Sequence, residues 1–187
     1  MYTSAYRTHT CGELRESHIG QTVRVSGWVE NIRDHGGVQF LDLRDHYGTL
    51  QVVFKDETML KGITRESTIS VTGSIVRRDE DTINPKIETG MVELRAETLE
   101  LLGKCTAALP FEVISSKESR EDLRLKYRFL DLRNRKVHKN IVLRAQLLSF
   151  LRSKMEELGF LEIQTPILTA SSPEGARDYL IPSRKHH

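Results

Sequence analysis

Five runs of alternating apolar and polar residues occupy the first hundred residues, and this period of two constrains the fold most strongly. Alternation of this kind is typical of strands that bury one face. The runs cover residues 23–33, 38–44, 50–54, 69–78 and 91–102. A polar stretch between the third and fourth runs predicts one short helix. Five strands without a strand–helix–strand repeat predict a small closed β-barrel.

Turn signals separate the runs. Asp34-His35-Gly36-Gly37 follows the first run and His46-Tyr47-Gly48 the second, and glycine allows the positive φ that tight turns need. Three strands, a helix at residues 56–66 and two further strands make up the order of an OB-fold, which we expect over residues 1–103. Its predicted core contains Val23, Val25, Val29, Leu41, Leu43, Leu50, Val52, Phe54, Ile69, Val71, Ile75, Val92 and Leu94.

The period changes in the second half of the chain. Residues 104–119 lack periodicity and predict a linker. Apolar positions three and four apart predict a helix over residues 134–158, which Gly159 ends, and residues 160–163 are predicted to form a strand. Residues 120–187 are therefore expected to be a second, α+β module.

Charge divides at the same place. Residues 1–103 carry 12 Lys and Arg against 16 Asp and Glu, whereas residues 104–187 carry 16 against 10, which together give the net charge of +2. This change in net charge supports two modules with different functions, although a solvated helical face explains much of the positive charge of the second half. Cys11 and Cys105 lack metal-ligand spacing, and no apolar run reaches 18 residues. We expect a reduced cytoplasmic protein without a metal site or a membrane span.

One face of the predicted barrel carries an unusual aromatic residue. Because Leu41 and Leu43 point inward, alternation places Phe40 outside with Asp42 and Arg44. A base-stacking platform explains such a ring and is worth about 1–3 kcal/mol per base. The alternative is an ordinary surface aromatic or one covered by a neighbouring loop, and this position alone favours the alternative.

Polar residues of neighbouring strands are predicted to share this outer face. Alternation places Gln51, Arg78 and Glu93 outside the core. Amides and carboxylates read base edges, and arginines contact phosphates. The acidic charge of this half argues against indiscriminate phosphate binding. The pattern favours selective binding of single-stranded nucleic acid.

A loop at residues 172–179 contains Pro and Gly and brings two carboxylates close to an arginine. Such a loop could close over a small polar ligand, with Glu174 accepting from an ammonium group, or it could be a surface loop with an internal ion pair. The sequence contains no phosphate-binding glycine loop, metalloprotease motif or nucleophile elbow. Composition and spacing therefore reveal no complete active site.

Several stretches taken in order resemble bacterial aspartyl-tRNA synthetases, which are class II aminoacyl-tRNA synthetases. The barrel stretches are Gly27-Trp28-Val29, Phe40-Leu41-Asp42-Leu43-Arg44-Asp45 and Gln51-Val52-Val53-Phe54. Residues 159–166 resemble the first class II motif, and residues 173–184 resemble the family's substrate-closing loop. The resemblance covers nearly the whole chain and implies an OB-fold anticodon-binding domain followed by the start of a class II catalytic domain.

The resemblance also implies roles for the residues of the barrel. Phe40 would stack on an anticodon base, while Gln51 and Glu93 would read base edges. Arg33 and Arg78 would help to hold the anticodon stem-loop. Arg33 enters this set through the resemblance alone, whereas alternation also selects the other four.

Four further positions take roles from the resemblance. Glu174 would contact the amino group of bound aspartate, and Pro166 with the helix before it would form a homodimer interface. His35 and Asp81 lie at positions that the family links to charging the asparagine tRNA as well as the aspartate tRNA. The residue type at His35 favours the dual specificity, and Asp81 leaves the question open.

The family's remaining catalytic motifs, which bind ATP, Mg²⁺ and aspartate, have no counterpart in this sequence. The resemblance implies an N-terminal portion of an ATP- and Mg²⁺-dependent aspartate–tRNA ligase. Its partners would be tRNA(Asp), and tRNA(Asn) if the dual specificity holds, together with L-aspartate. We expect this chain alone to recognise the anticodon without catalysing or holding ATP. The alternatives are a free-standing nucleic-acid-binding module and the sister enzyme for asparagine.

Overall fold

The computed structural model describes residues 4–168, 179 and 181–185. The chain divides into two compact units, Met1–His138 and Lys139–His187. The predicted substrate-closing loop, including Glu174, lies outside the described residues.

A closed five-stranded barrel dominates the first unit. Its strands are β1 (Thr22–His35), β2 (Val38–Arg44), β3 (Thr49–Phe54), β4 (Thr68–Arg77) and β5 (Val92–Gly103). They close in the order β1-β2-β3-β5-β4. β3 and β5 pair in parallel, and the other four contacts are antiparallel. The predicted OB-fold barrel is therefore confirmed.

The barrel core is the one that alternation predicts. All thirteen predicted core residues are buried and form one apolar cluster, which Cys11, Leu14 and Leu60 complete. Burial of these side chains is the main favourable contribution to folding of the barrel.

The helix predicted between the third and fourth strands is shorter than expected. Only a 3₁₀ turn forms there, Glu57–Leu60, and Asp56 caps it by accepting a hydrogen bond from the Thr58 amide. Gly62 then adopts a φ of 78°, a left-handed conformation that a continuing helix cannot use. The turn still places Leu60 in the core.

A bulge in β1 decides which side chains reach the outer face. The pairing of β1 with β2 shifts between Val29 and Asn31. Strict alternation from Val29 would turn Arg33 inward, but the extra residue moves Ile32 against the core and Arg33 outward. Residue alternation alone could not select Arg33 for this reason.

Helical segments follow the barrel within the first unit. They are α1 (Glu121–Lys126), α2 (Arg128–Asp131) and the first turn of α3 (Arg135–Glu157). Asp131 is fully buried, and it accepts hydrogen bonds from Ser116, Arg124 and Arg128. Burial would raise its pKa, but these hydrogen bonds and charges hold the pKa below its usual value.

Asn134 caps α3. Its side-chain oxygen accepts from the Lys136 amide at 3.0 Å, and its side-chain nitrogen donates to the carbonyls of Val113 and Ile114, both at 2.8 Å. The start of α3 is therefore tied to the segment that follows the barrel.

Most of α3 belongs to the second unit and leaves its apolar side chains exposed. Ile141, Leu148, Leu151, Met155 and Leu158 all follow the predicted spacing, and all are exposed. Gly159 adopts a φ of 86° immediately after the helix, as predicted for its end. No helix among the described residues has the length and apolar content needed to cross a membrane.

The strand predicted over residues 160–163 is not formed. Phe160, Leu161 and Ile163 are exposed, and the backbone of these residues is irregular. A strand needs a neighbouring strand to accept and donate its backbone hydrogen bonds. The described residues of the second unit contain none.

A pair of stacked histidines predicts a pH dependence of stability. The rings of His46 and His138 stack at 5.0 Å, and Trp28 meets His46 edge-on at 5.1 Å. Partial desolvation of the ring, followed by the neighbouring charge of His138, lowers the pKa of His46, although the residue is exposed overall. The unfolded chain therefore binds the proton more readily, so stability is complete above the usual histidine pKa and falls as the pH drops below it.

We expect a lower Tm at pH 5 than at pH 7.5 by circular dichroism, with part of the difference removed in His46→Gln. An unchanged pH dependence in that variant would contradict a role for His46.

Candidate nucleic-acid interface

One outer face of the barrel, formed by β1, β2, β3 and the start of β5, collects the residues predicted to contact nucleic acid. Arg33 pairs with Phe40 across β1 and β2, and Asp42 pairs with Gln51 across β2 and β3. Phe40 lies outside the core cluster and is partly exposed, with the ring of His35 edge-on at 5.6 Å. We call this face the polar wall.

Hydrogen bonds connect the polar wall into a row. Arg33 Nη2 donates to Asp42 Oδ1 at 2.7 Å and to Gln51 Oε1 at 3.4 Å. Gln51 Nε2 donates to Glu93 Oε2 at 2.9 Å. The structure therefore brings Arg33, Phe40, Gln51 and Glu93 onto one surface, because neighbouring strands place same-face residues side by side.

Gln51 and Arg78 differ from the prediction in one respect. They were expected to face outward, and they lie outside the core, but Gln51 is only 7% exposed and Arg78 only 4%. Residues 112–114 and 133–136 lie over the polar wall, and with Arg33, Asp42 and Gln51 they line an open cavity of about 570 Å³. Alternation identifies a face of a strand and carries no information about which distant segment covers it.

Arg78 lines this cavity and carries a buried donor that is unsatisfied among the described residues. Its Nε donates to the Val92 carbonyl at 3.0 Å and its Nη1 to the Thr82 carbonyl at 3.4 Å, but its buried Nη2 has no partner in the described part of the chain. Burial lowers the pKa of Arg78, although Glu93 and Asp42 oppose the shift. An unpaired buried donor is costly, so an acceptor on a ligand would be bound favourably there.

The row contains two carboxylates, Asp42 and Glu93. Burial raises the pKa of Asp42, and the charges of Arg33 and Arg78 work in the opposite direction. The Glu93 carboxylate accepts a hydrogen bond from the side-chain amide of Gln51. The row can therefore both donate to and accept from the edge of a base.

Positive charge is concentrated at the cavity. Seven Arg and Lys side chains line it against three Asp and Glu side chains, in a barrel whose residues 1–103 are acidic overall. A local cationic concavity of this kind attracts a polyanion to one place on the surface. The arrangement suits an RNA loop better than general adhesion to phosphates.

Arg44 was also predicted to face outward and is instead 2% exposed. It pairs with Glu66, and its Nε lies 3.5 Å from Glu30 Oε1. Glu66 in turn pairs with Arg133 at 2.7 Å. The backbone of Glu66 is in the left-handed region, with a φ of 62°. These ion pairs hold the covering segment against the barrel.

The sequence reasoning missed these ion pairs. No local pattern marks Glu66 as buried or its backbone as left-handed, and Arg133 is 67 positions away from it. The only available signal was the position of Arg44 at the end of a strand whose neighbours are core residues.

The remaining predicted residues that the structure describes do not line the cavity. His35 is exposed at the end of β1, and Asp81 is exposed in a 3₁₀ turn, Glu80–Thr82. Pro166 is exposed in the second unit. Among the described residues, no three His, Cys, Asp or Glu side chains are grouped as metal ligands.

Two family comparisons match separate parts of the chain. Residues 23–102 match the sequence model of the OB-fold nucleic acid binding domain. Residues 120–187 match that of the class II tRNA synthetases (D, K and N).

Curated relatives are similar over almost the whole chain. The aspartate–tRNA(Asp/Asn) ligase of Bradyrhizobium sp. is 54% identical over 97% of this chain, and that of Phenylobacterium zucineum is 52% identical over 97%. The chain spans about a third of the length of these relatives, 31% in both cases.

Solved structures show the same architecture. Asparaginyl-tRNA synthetase from Pyrococcus horikoshii, complexed with asparaginyl-adenylate, superposes with a TM-score of 0.75 at 25% identity, covering 89% of this chain and 38% of its own. Aspartyl tRNA synthetase from Entamoeba histolytica gives 0.76 at 22% identity, covering 93% and 41%. At 22% identity, the similarity to the Entamoeba histolytica enzyme is evidence for the fold alone.

Proposed function

The chain belongs to the class II tRNA synthetases of the D, K and N group, and from that membership we propose that it supplies anticodon recognition to an aspartate–tRNA ligase. We assign recognition to an OB-fold domain at residues 1–103, joined by residues 104–119 to the start of a catalytic domain at residues 120–187. The observation that carries the proposal is the hydrogen-bonded row on the polar wall beside a partly exposed aromatic ring.

Each residue of the polar wall has a role in the proposed interaction. Phe40 stacks on an unpaired anticodon base, while Gln51 and Glu93 read the edges of bases. Arg33 orients Gln51 through its hydrogen bond, and Arg78 offers its unsatisfied Nη2 to an acceptor. Because Gln51 and Arg78 are buried, a base must enter the cavity to reach them.

The activity of the whole enzyme is part of the proposal. It would join L-aspartate to tRNA(Asp) in the cytoplasm, using ATP and Mg²⁺ to form the aspartyl-adenylate and then transferring the aspartyl group to the 3′ end. Glu174 would contact the aspartate amino group. Pro166 and the exposed apolar face of α3 would join two copies into a homodimer, and burial of such a face is a favourable contribution to association.

Specificity for a second tRNA is supported by two observations. The relatives named above are aspartate–tRNA(Asp/Asn) ligases, and they are more than half identical to this chain. His35 also lies edge-on against Phe40, where it would meet the base that stacks there. We therefore include tRNA(Asn) among the proposed substrates, with Asp81 as the second position involved.

Replacing Phe40 tests the proposal. Phe40→Ala is expected to weaken binding of an aspartate anticodon stem-loop by about 1–3 kcal/mol, because the stacking surface for one base is lost. Fluorescence anisotropy with labelled stem-loops measures the effect, and loops with the asparagine anticodon and a scrambled anticodon provide the comparison.

Phe129→Ala is the matched control, since Phe129 is 62% exposed and lies in α2, away from the cavity lining. Equal affinity of the wild-type chain for aspartate and scrambled anticodons would refute selective recognition. Unchanged affinity in Phe40→Ala would refute the stacking role.

A further inference from the structure

The cavity contains a second group of basic residues that the anticodon assignment does not use. Arg135 and Lys136, the first two residues of α3, line it opposite the polar wall. The Lys136 side chain is exposed, and its ammonium group has no partner among the residues that the structure describes. An exposed lysine of the cavity lining without a carboxylate partner is available to a ligand.

Arg135 fixes the place of this basic pair relative to the polar wall. Its guanidinium donates to Thr49 Oγ1, and its Nη2 lies 3.8 Å from Glu30 Oε2. Thr49 and Gln51 are two positions apart on β3, so they point to the same face about 6.8 Å from each other. The basic pair is therefore about one nucleotide's length from the residues that would read a base.

The base-reading residues and the basic pair differ in burial, and this difference sets the orientation of a bound nucleotide. Gln51 and Arg78 are buried residues of the cavity lining, whereas Arg135 and Lys136 are exposed residues of the same lining. A nucleotide carries its base at one end and its phosphates at the other. The base can replace its lost water by hydrogen bonds to the buried residues. The charged phosphate can stay in contact with solvent and with the exposed basic side chains.

We infer that Arg135 and Lys136 contact the phosphate backbone of the nucleotide whose base enters the cavity, so that the start of α3 is part of the RNA-binding site. This inference rests on the proposed function for the identity of the polyanion. The contact contributes to affinity and to the position of the strand, and it carries no base sequence.

Lys136→Ala in the 187-residue chain tests the inference. Neutralising one phosphate contact to a single strand lowers the slope of log K against log salt by about 0.7, which corresponds to a loss of about fivefold at 0.1 M salt. The loss should be equal for aspartate and scrambled anticodon stem-loops. Lys136→Arg should retain the affinity, and the double variant with Arg135→Ala should lower the slope by about 1.4.

Lys117→Ala is the control, because Lys117 is exposed in the same unit and does not line the cavity. Wild-type affinity and slope in Lys136→Ala would overturn the inference, as would a loss confined to the aspartate anticodon, which would indicate base reading. Equal binding of both loops by the wild-type chain would refute the proposed function, yet the slope in Lys136→Ala would still decide the phosphate contact. Absence of any RNA binding at low salt would overturn both.

Discussion

Arg44→Met is expected to destabilise the first unit by about 3–5 kcal/mol, the usual cost of removing one member of a buried ion pair. Arg44 is 2% exposed and pairs with Glu66, which is itself buried, and with Glu30. Methionine fills a similar volume, but it leaves the Glu66 carboxylate with Arg133 as its only cationic partner among the described residues. Urea unfolding followed by the fluorescence of Trp28 measures the change, since Trp28 lies beside Arg44 and Arg133.

Arg33→Met is the matched control for stability. Arg33 also pairs with a carboxylate, but its side chain is 42% exposed, so its loss should cost no more than about 1 kcal/mol. The double variant Arg44→Met/Glu66→Gln should lose less stability than the sum of the losses in Arg44→Met and Glu66→Gln, because no uncompensated Glu66 charge remains. A cost for Arg44→Met as small as that for Arg33→Met would show that the buried pairs do not stabilise the unit.

Arg78→Met should separate binding from stability. It removes the guanidinium that would donate to RNA, and we expect a loss of about 1.5–3 kcal/mol in affinity for the aspartate anticodon stem-loop, roughly 10- to 150-fold. Stability should change by no more than about 1 kcal/mol. The Val92 and Thr82 carbonyls each lose a hydrogen bond, but a buried cation with an unpaired Nη2 is removed at the same time.

Arg77→Met is the control for this variant, because Arg77 is adjacent in sequence, 56% exposed and paired with Glu16 away from the cavity lining. It should bind the stem-loop as the wild type does. Wild-type affinity in Arg78→Met would remove Arg78 from the site. A stability loss of several kcal/mol would show that Arg78 is present mainly to hold the fold.

The sequence predicts the part of the candidate site that lies on regular strands. Phe40, Gln51 and Glu93 follow from alternation, because each lies on a regular strand whose inward partners are apolar. Arg33 does not, since the bulge after Val29 reverses the faces of the residues beyond it. Arg135 lies outside the barrel and could not be associated with it, because its contact with Thr49 joins residues 86 positions apart.

The sequence by itself determined the barrel, its core and the polarity of its outer wall, because those features depend on local periodicity and on the burial of apolar side chains. Only the tertiary structure decided that residues 112–114 and 133–136 cover part of this wall. Their attachment depends on buried ion pairs between distant residues, such as Glu66 with Arg133, and on a left-handed backbone at Glu66, neither of which has a local sequence pattern. For the same reason, the open wall predicted from alternation is, in the folded chain, one side of a cavity of about 570 Å³.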